Sequence, residues 1–214
     1  METILYIALC IPLVPAILAS FKWKYLTETQ RWFSIMLWGI VIISFFGELW
    51  LRTSHDSNLP FFHVYILMEY VFLLNIFRTM FKESVKDFIW LILVIGFSLI
   101  WTINIFTGVG WWAFPDYIHV LEAIIIIGLV ISWFSKMLNE KIISRPERTF
   151  EFWICAGLLL FFSGNFLLFI FSKFIILTIE TAAYEAIWKI HCILIILLYL
   201  LYTLALLWVK KPIK

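Results

Sequence analysis

Seven polar side chains interrupt stretches of sequence that are otherwise almost wholly apolar: Glu48, His63, Glu69, His119, Glu122, Asn165 and His191. Carboxylates and imidazoles are expensive in apolar surroundings, so each needs a partner or a purpose. Their spacing groups them. Asp116, His119 and Glu122 follow i, i+3, i+6 and share one helix face, while Tyr65 and Glu69 stand at i, i+4. Ser44 aligns with Glu48, His63 with Tyr70, and Tyr184 and Trp188 with His191. Glu185 and Lys189 have the spacing of a surface ion pair. His55, Asp56 and Asn58 lie between apolar runs and read as solvated loop residues.

Three chemistries suit this set. Glu48, His63, Tyr65, Glu69, His119, Glu122, Asn165 and His191 together offer donors and acceptors for a small polar ligand, with imidazoles that titrate near neutrality. His63, His119 and His191 offer three ligands for an open zinc centre, with Glu69 or Glu122 as the base for metal-assisted hydrolysis. A proton or ion path is the third. It lacks strong partners beyond Ser44, Asn75, Ser132 and Thr203 in the other half of the runs. Plainer roles are open too: an interfacial position for His63 and His119, snorkelling for Glu48, and helix–helix hydrogen bonding for Glu69 and Glu122. Lys189 is too shallow, and too well matched to Glu185, to be a Schiff-base lysine.

The elements that must position these groups follow from composition. The 214 residues are 64% hydrophobic and 14% charged, with mean hydropathy +1.02; a soluble domain carries about 25% charged residues. The apolar excess falls in runs at 3–20, 32–51, 61–81, 87–106, 116–135, 150–171 and 187–209. About 20 residues cross a bilayer core of about 30 Å. The fold predicted is therefore all-α, one domain over 1–214, a bundle of seven transmembrane helices. Pro12 and Pro15 should ease or kink the first helix, Asn58-Leu-Pro60 should start the third, and Thr107-Gly-Val-Gly110 should end the fourth. The stretch 175–186 reads as an interfacial helix or an extension of the last span. Met1-Glu2-Thr3 supplies no positive n-region, so the first run reads as an uncleaved helix.

Thirteen of the sixteen Lys and Arg lie on one set of connectors: Lys22, Lys24 and Arg31; Arg78, Lys82 and Lys86; Lys136, Lys141, Arg145 and Arg148; Lys210, Lys211 and Lys214. Arg52, Lys173 and Lys189 lie on the other. Cytoplasmic connectors attract basic residues, which places the N-terminus outside, the C-terminus in the cytoplasm and the chain in the inner (plasma) membrane. Measured at 1.5 Å per residue, the seven polar groups then fall within roughly 3–12 Å of the outer boundary. Trp50, Trp111, Trp112 and Trp188 near outer ends, and Trp23, Trp32 and Trp208 near inner ones, read as aromatic belts. Cys10, Cys155 and Cys192 have no CxxC spacing and read as apolar fillers. No basic cluster points to nucleic acid, and no internal repeat points to an inverted-repeat transporter.

The string Asn58-Leu-Pro-Phe-Phe-His63-Val-Tyr65-Ile-Leu-Met-Glu69-Tyr70, with Ile187-Trp-Lys-Ile-His191, resembles small uncharacterised bacterial seven-helix membrane proteins. In size and topology the chain is also similar to the seven-helix sensor input regions of histidine kinases. That resemblance implies extracytoplasmic sensing, with a signalling or membrane protein partner to carry the signal onward, since no kinase sequence follows the last run. Seven-helix zinc hydrolases of the ceramidase and progestin-receptor type carry a His-x-x-x-His pair that this sequence lacks. The reading that results is a sensor- or receptor-like bundle binding a small polar ligand or partner through its outer polar layer. A membrane-embedded zinc hydrolase and a structural accessory subunit are the alternatives.

Overall fold

The computed structural model describes residues 2–54, 56–108, 110–140, 145–178 and 181–209. His55, Lys141, Lys210, Lys211 and Lys214, and the side chains of Lys173 and Tyr184, lie outside the described residues. Among the described residues eight α-helices run in order: α1 (Glu2–Cys10), α2 (Leu13–Lys22), α3 (Glu28–Ser54), α4 (Leu59–Met80), α5 (Asp87–Ile103), α6 (Asp116–Glu140), α7 (Phe150–Thr178) and α8 (Thr181–Leu207). No strand occurs among the described residues. Among the described residues seven segments are long and apolar enough to cross a membrane: Thr3–Tyr25, Glu28–Ser54, Leu59–Met80, Asp87–Thr107, Asp116–Asn139, Phe150–Phe171 and Glu185–Leu207. The chain is a multi-pass membrane protein. Large apolar side chains such as Phe21, Phe88, Phe106 and Leu167 stand on the outside, as a lipid solvent allows.

The local starts and stops have identifiable causes. The first span breaks at Ile11 and Pro12 into α1 and α2, and Pro15 falls in the first turn of α2, where its missing N–H has no helical partner to lose. Helix α3 begins four residues before the apolar run because Thr27 and Gln30 form a capping box. Gln30 N–H donates to Thr27 Oγ1 at 3.4 Å, and Thr27 N–H donates to Gln30 Oε1 at 3.0 Å. Helix α4 opens at Asn58-Leu-Pro60 as the sequence indicates. Helix α5 passes into one π-helical stretch, Asn104–Gly108, rather than continuing as α-helix. The segment 175–186 is divided: through Thr178 it extends α7, and from Thr181 it opens α8.

The chain forms two compact units, Thr27–Glu122 and a second made of Met1–Leu26 with Ala123–Lys214, the boundary falling within α6. In the first, α3 and α4 run antiparallel. Thr79 Oγ1 donates to Thr29 Oγ1 at 2.8 Å, and Gly39 and Gly47 bring the backbones close. A Cβ on Gly39 would lie 2.8 Å from Met68 Sδ, and one on Gly47 3.2 Å from Phe61 Cβ. Helix α5 packs antiparallel on α4 through Tyr70, whose ring stacks on Phe97 at 3.7 Å and whose hydroxyl donates to the Leu93 carbonyl at 3.3 Å.

In the other unit α7 and α8 are the principal pair. A Cβ on Gly157 would stand 3.2 Å from Leu198, and one on Gly164 2.9 Å from Leu194. Helices α1 and α2 lie along α8. Lys22 Nζ donates to the carbonyls of Leu206, at 2.7 Å, and Val209, at 3.3 Å. The Leu206 carbonyl also accepts from the Val209 N–H at 3.2 Å, and a cation at this carboxyl end of α8 is favourable in charge as well as in hydrogen bonding.

Candidate functional site

Three of the polar residues come together in the Thr27–Glu122 unit. Glu69 projects from the middle of α4, while His119 and Glu122 come from the first turns of α6. All three are buried, at 1%, 2% and 0% exposure. His119 Nδ1 and Glu122 Oε2 share a hydrogen bond of 2.9 Å, formed within one helical turn by the i, i+3 spacing. The remaining carboxyl oxygens have no such partner. Glu122 Oε1 is buried and makes no hydrogen bond among the described residues, and the buried Glu69 carboxyl has only the Tyr65 side chain, one turn away, as a hydrogen-bonding neighbour. The two carboxyl groups lie close enough to act on each other electrostatically, and Tyr65, one turn before Glu69, adds its phenol to the surroundings. Phe62 completes the wall: it stacks on Tyr65 at 6.0 Å and meets Phe114 at 5.3 Å and His119 edge-on at 5.5 Å.

His63 is fully buried but has a different task. Its Nε2 donates to the Ala113 carbonyl at 2.9 Å, which fixes a proton on that nitrogen. Trp101 Nε1 donates to the His63 carbonyl at 3.0 Å, and Trp111 meets both the His63 ring (5.9 Å) and the Trp101 ring (5.7 Å) edge-on. This latch fastens the connector after α5 to the start of α4. Gly110 within that connector has φ +77°, a backbone conformation glycine adopts at little cost. By ordering the connector, the latch sets where α6 begins and therefore where His119 and Glu122 stand.

The other expected residues are engaged separately. Asn165 and His191 pair within their own unit: His191 Nδ1 donates to Asn165 Oδ1 at 2.8 Å, and Asn165 Nδ2 donates to the Phe161 carbonyl at 2.9 Å. Glu48 forms a 2.6 Å ion pair with Arg52 along α3, partly exposed, and Lys189 pairs with Glu185 at 3.6 Å as the spacing indicates. No group of three or more His, Cys, Asp or Glu able to hold a metal ion occurs among the described residues. His63, His119 and His191 each commit one ring nitrogen to a non-metal partner. The zinc centre weighed for those three histidines is not assembled among the described residues, although a partner on one ring nitrogen would by itself leave the other able to ligate.

No family model, curated protein or solved structure matches this chain. What the site can do must be read from its own atoms.

Sequence reasoning missed the residues that frame the cluster. Trp101 and Trp111 carry the His63 latch, yet a tryptophan near a span end reads first as a belt residue. Phe62 was hidden in an apolar run. Its signal was position, one turn from Ile66 and three residues from Tyr65, on the face that α4 turns toward the acid pair.

Proposed function

We propose that the chain is a sensor- or receptor-like integral membrane protein that binds a small polar ligand through Glu69, Glu122 and His119, with Tyr65 and Phe62 beside them. The observation that carries this reading is the buried acid pair Glu69 and Glu122, four carboxyl oxygens served by no side-chain donors beyond the His119 ring and Tyr65, with Glu122 Oε1 left unpaired. In an apolar interior an unsatisfied carboxyl costs several kcal/mol, on the order of the penalty for burying any unpaired polar group. Such groups persist at functional sites. A molecule bearing N–H or O–H donors would satisfy them. The bias of basic residues supports an N-terminus outside, a cytoplasmic C-terminus and residence in the plasma membrane, which puts the acid pair in the outer half of the bilayer. A signalling or membrane protein partner would receive the response.

The test is thermal unfolding of the detergent-solubilised protein against a panel of small amines, amides and alcohols. A saturable rise in Tm with at least one compound, abolished by both Glu69→Gln and Glu122→Gln, is expected. A panel without effect, or a rise that survives both substitutions, refutes the reading.

One observation favours a structural role instead, as in an accessory subunit. His119 and Glu122 already satisfy each other in part, as groups that only fix helix packing do. Under that reading the panel shifts neither the wild type nor the two Gln variants, and the variants differ from it in stability alone.

A further inference from the structure

We propose that the groove between the membrane-facing sides of α4 and α5 is a binding site for a zwitterionic aminophospholipid, one whose headgroup carries a phosphate and a primary ammonium. The groove encloses about 410 Å³, is open along its length, and has its polar residues gathered at one end. At that end Arg78 Nε donates to Asp87 Oδ1 at 2.8 Å. Asn75 and Trp90 stand next along it, and the walls become apolar toward Val71 and Val94. From Arg78 to Val71 is two helical turns, about 10 Å of rise, so the polar end and the apolar channel are stacked as head and acyl chain are in a lipid.

Depth fixes the kind of occupant. Arg78 lies at the end of one membrane-crossing segment, Leu59–Met80, and Asp87 begins the next, Asp87–Thr107. Both therefore stand at headgroup level, where a lipid enters sideways from the bilayer. Charge fixes the headgroup. Arg78 uses Nε on Asp87 and makes no other hydrogen bond among the described residues, which leaves its terminal N–H groups for a phosphate. Asp87 Oδ2 is left for a cation. Around this rim Arg78, Lys82 and Lys86 are offset by Asp87, Glu83 and Glu28, the last 3.9 Å from Lys82, so there is no excess positive charge to favour a purely anionic lipid. Trp90 also lines the groove, 4% exposed, and adds an aromatic wall beside Asn75.

Native mass spectrometry of the whole detergent-solubilised chain tests this directly, because bilayer pressure is absent. Incubated with equal amounts of phosphatidylethanolamine and phosphatidylcholine of identical acyl chains, the wild type should retain the ethanolamine lipid about tenfold more, the ratio one charge-assisted hydrogen bond supplies. Choline offers no N–H to Asp87. Arg78→Gln should lower retention of both lipids, and Asp87→Asn should erase the preference between them. Arg52→Gln, which breaks a surface ion pair on another helix, should change neither. Equal retention by the wild type, a preference for phosphatidylglycerol over phosphatidylethanolamine, or a preference that survives Asp87→Asn overturns the proposal.

Discussion

His119 and Glu122 meet at 2.9 Å across a single turn of α6, both essentially sealed from solvent, and only one carboxyl oxygen of Glu122 takes part. The pair is thus half of a network. Removing the carboxyl leaves His119 Nδ1 without its partner, whereas Gln keeps an oxygen within reach. Glu122→Ala should lower stability by about 1–3 kcal/mol and Glu122→Gln by less than half of that. Reversible unfolding in mixed detergent micelles measures both. Equal losses would show that the hydrogen bond contributes nothing.

Glu69 should behave in the opposite way. Its carboxyl has only the Tyr65 side chain to serve two buried oxygens, so replacement by an apolar residue of similar length removes a desolvation cost larger than the one contact it deletes. Glu69→Met should leave stability unchanged or raise it by about 1–2 kcal/mol, while abolishing any response to ligand. A marked loss of stability would mean that the carboxyl is structural after all.

The glycines separate tight contacts from open ones. A Cβ on Gly47 would meet Phe61 Cβ, a backbone-proximal atom that cannot swing aside. Gly47→Leu should therefore cost about 1–3 kcal/mol by overpacking. Gly128, within α6, has nothing within 4 Å of the added atom. Gly128→Ala should be neutral or stabilising by about 0.5–1 kcal/mol. Thermal denaturation of the two variants side by side reads the difference.

Lys22 is the fourth case. Its ammonium serves the last carbonyls of α8, and Lys22→Met keeps the aliphatic stem while deleting the donor. A loss of about 0.5–2 kcal/mol is expected, together with faster hydrogen exchange confined to the amides of the final turns of α8. Uniform exchange across the chain would refute a local role.

Much of this architecture was legible in the residues. Run length gave the number of spans, and Pro12 and Pro60 marked a break and a start where the structure has them. The ends of α3 and α7 were not legible from hydropathy, because each helix outruns its apolar stretch. For α3 the Thr27–Gln30 capping box was present as a signal and was outweighed by the polarity of 28–31. At the site, the i, i+3 spacing of His119 and Glu122 gave their hydrogen bond directly. The i, i+4 spacing of Glu48 and Arg52 carried their ion pair as well; that Glu69 joins His119 and Glu122 could not be read from spacing, since it depends on how α4 and α6 are rotated about their axes. The latch at His63 was illegible for a related reason: its acceptor is a main-chain carbonyl, which no side-chain pattern announces.

The clasp between Lys22 and the Leu206 carbonyl joins groups 184 residues apart in the chain. At the usual 5–20 residues per second, translation takes roughly 10–40 s to bring the second group into being. Throughout that interval the segment 13–22 sits in the bilayer without its neighbour, held only by its own hydrophobicity. Final closure of that unit is thus a late event in biogenesis, and a nascent chain arrested before 206 exposes a helix flank that insertion factors or membrane proteases can recognise.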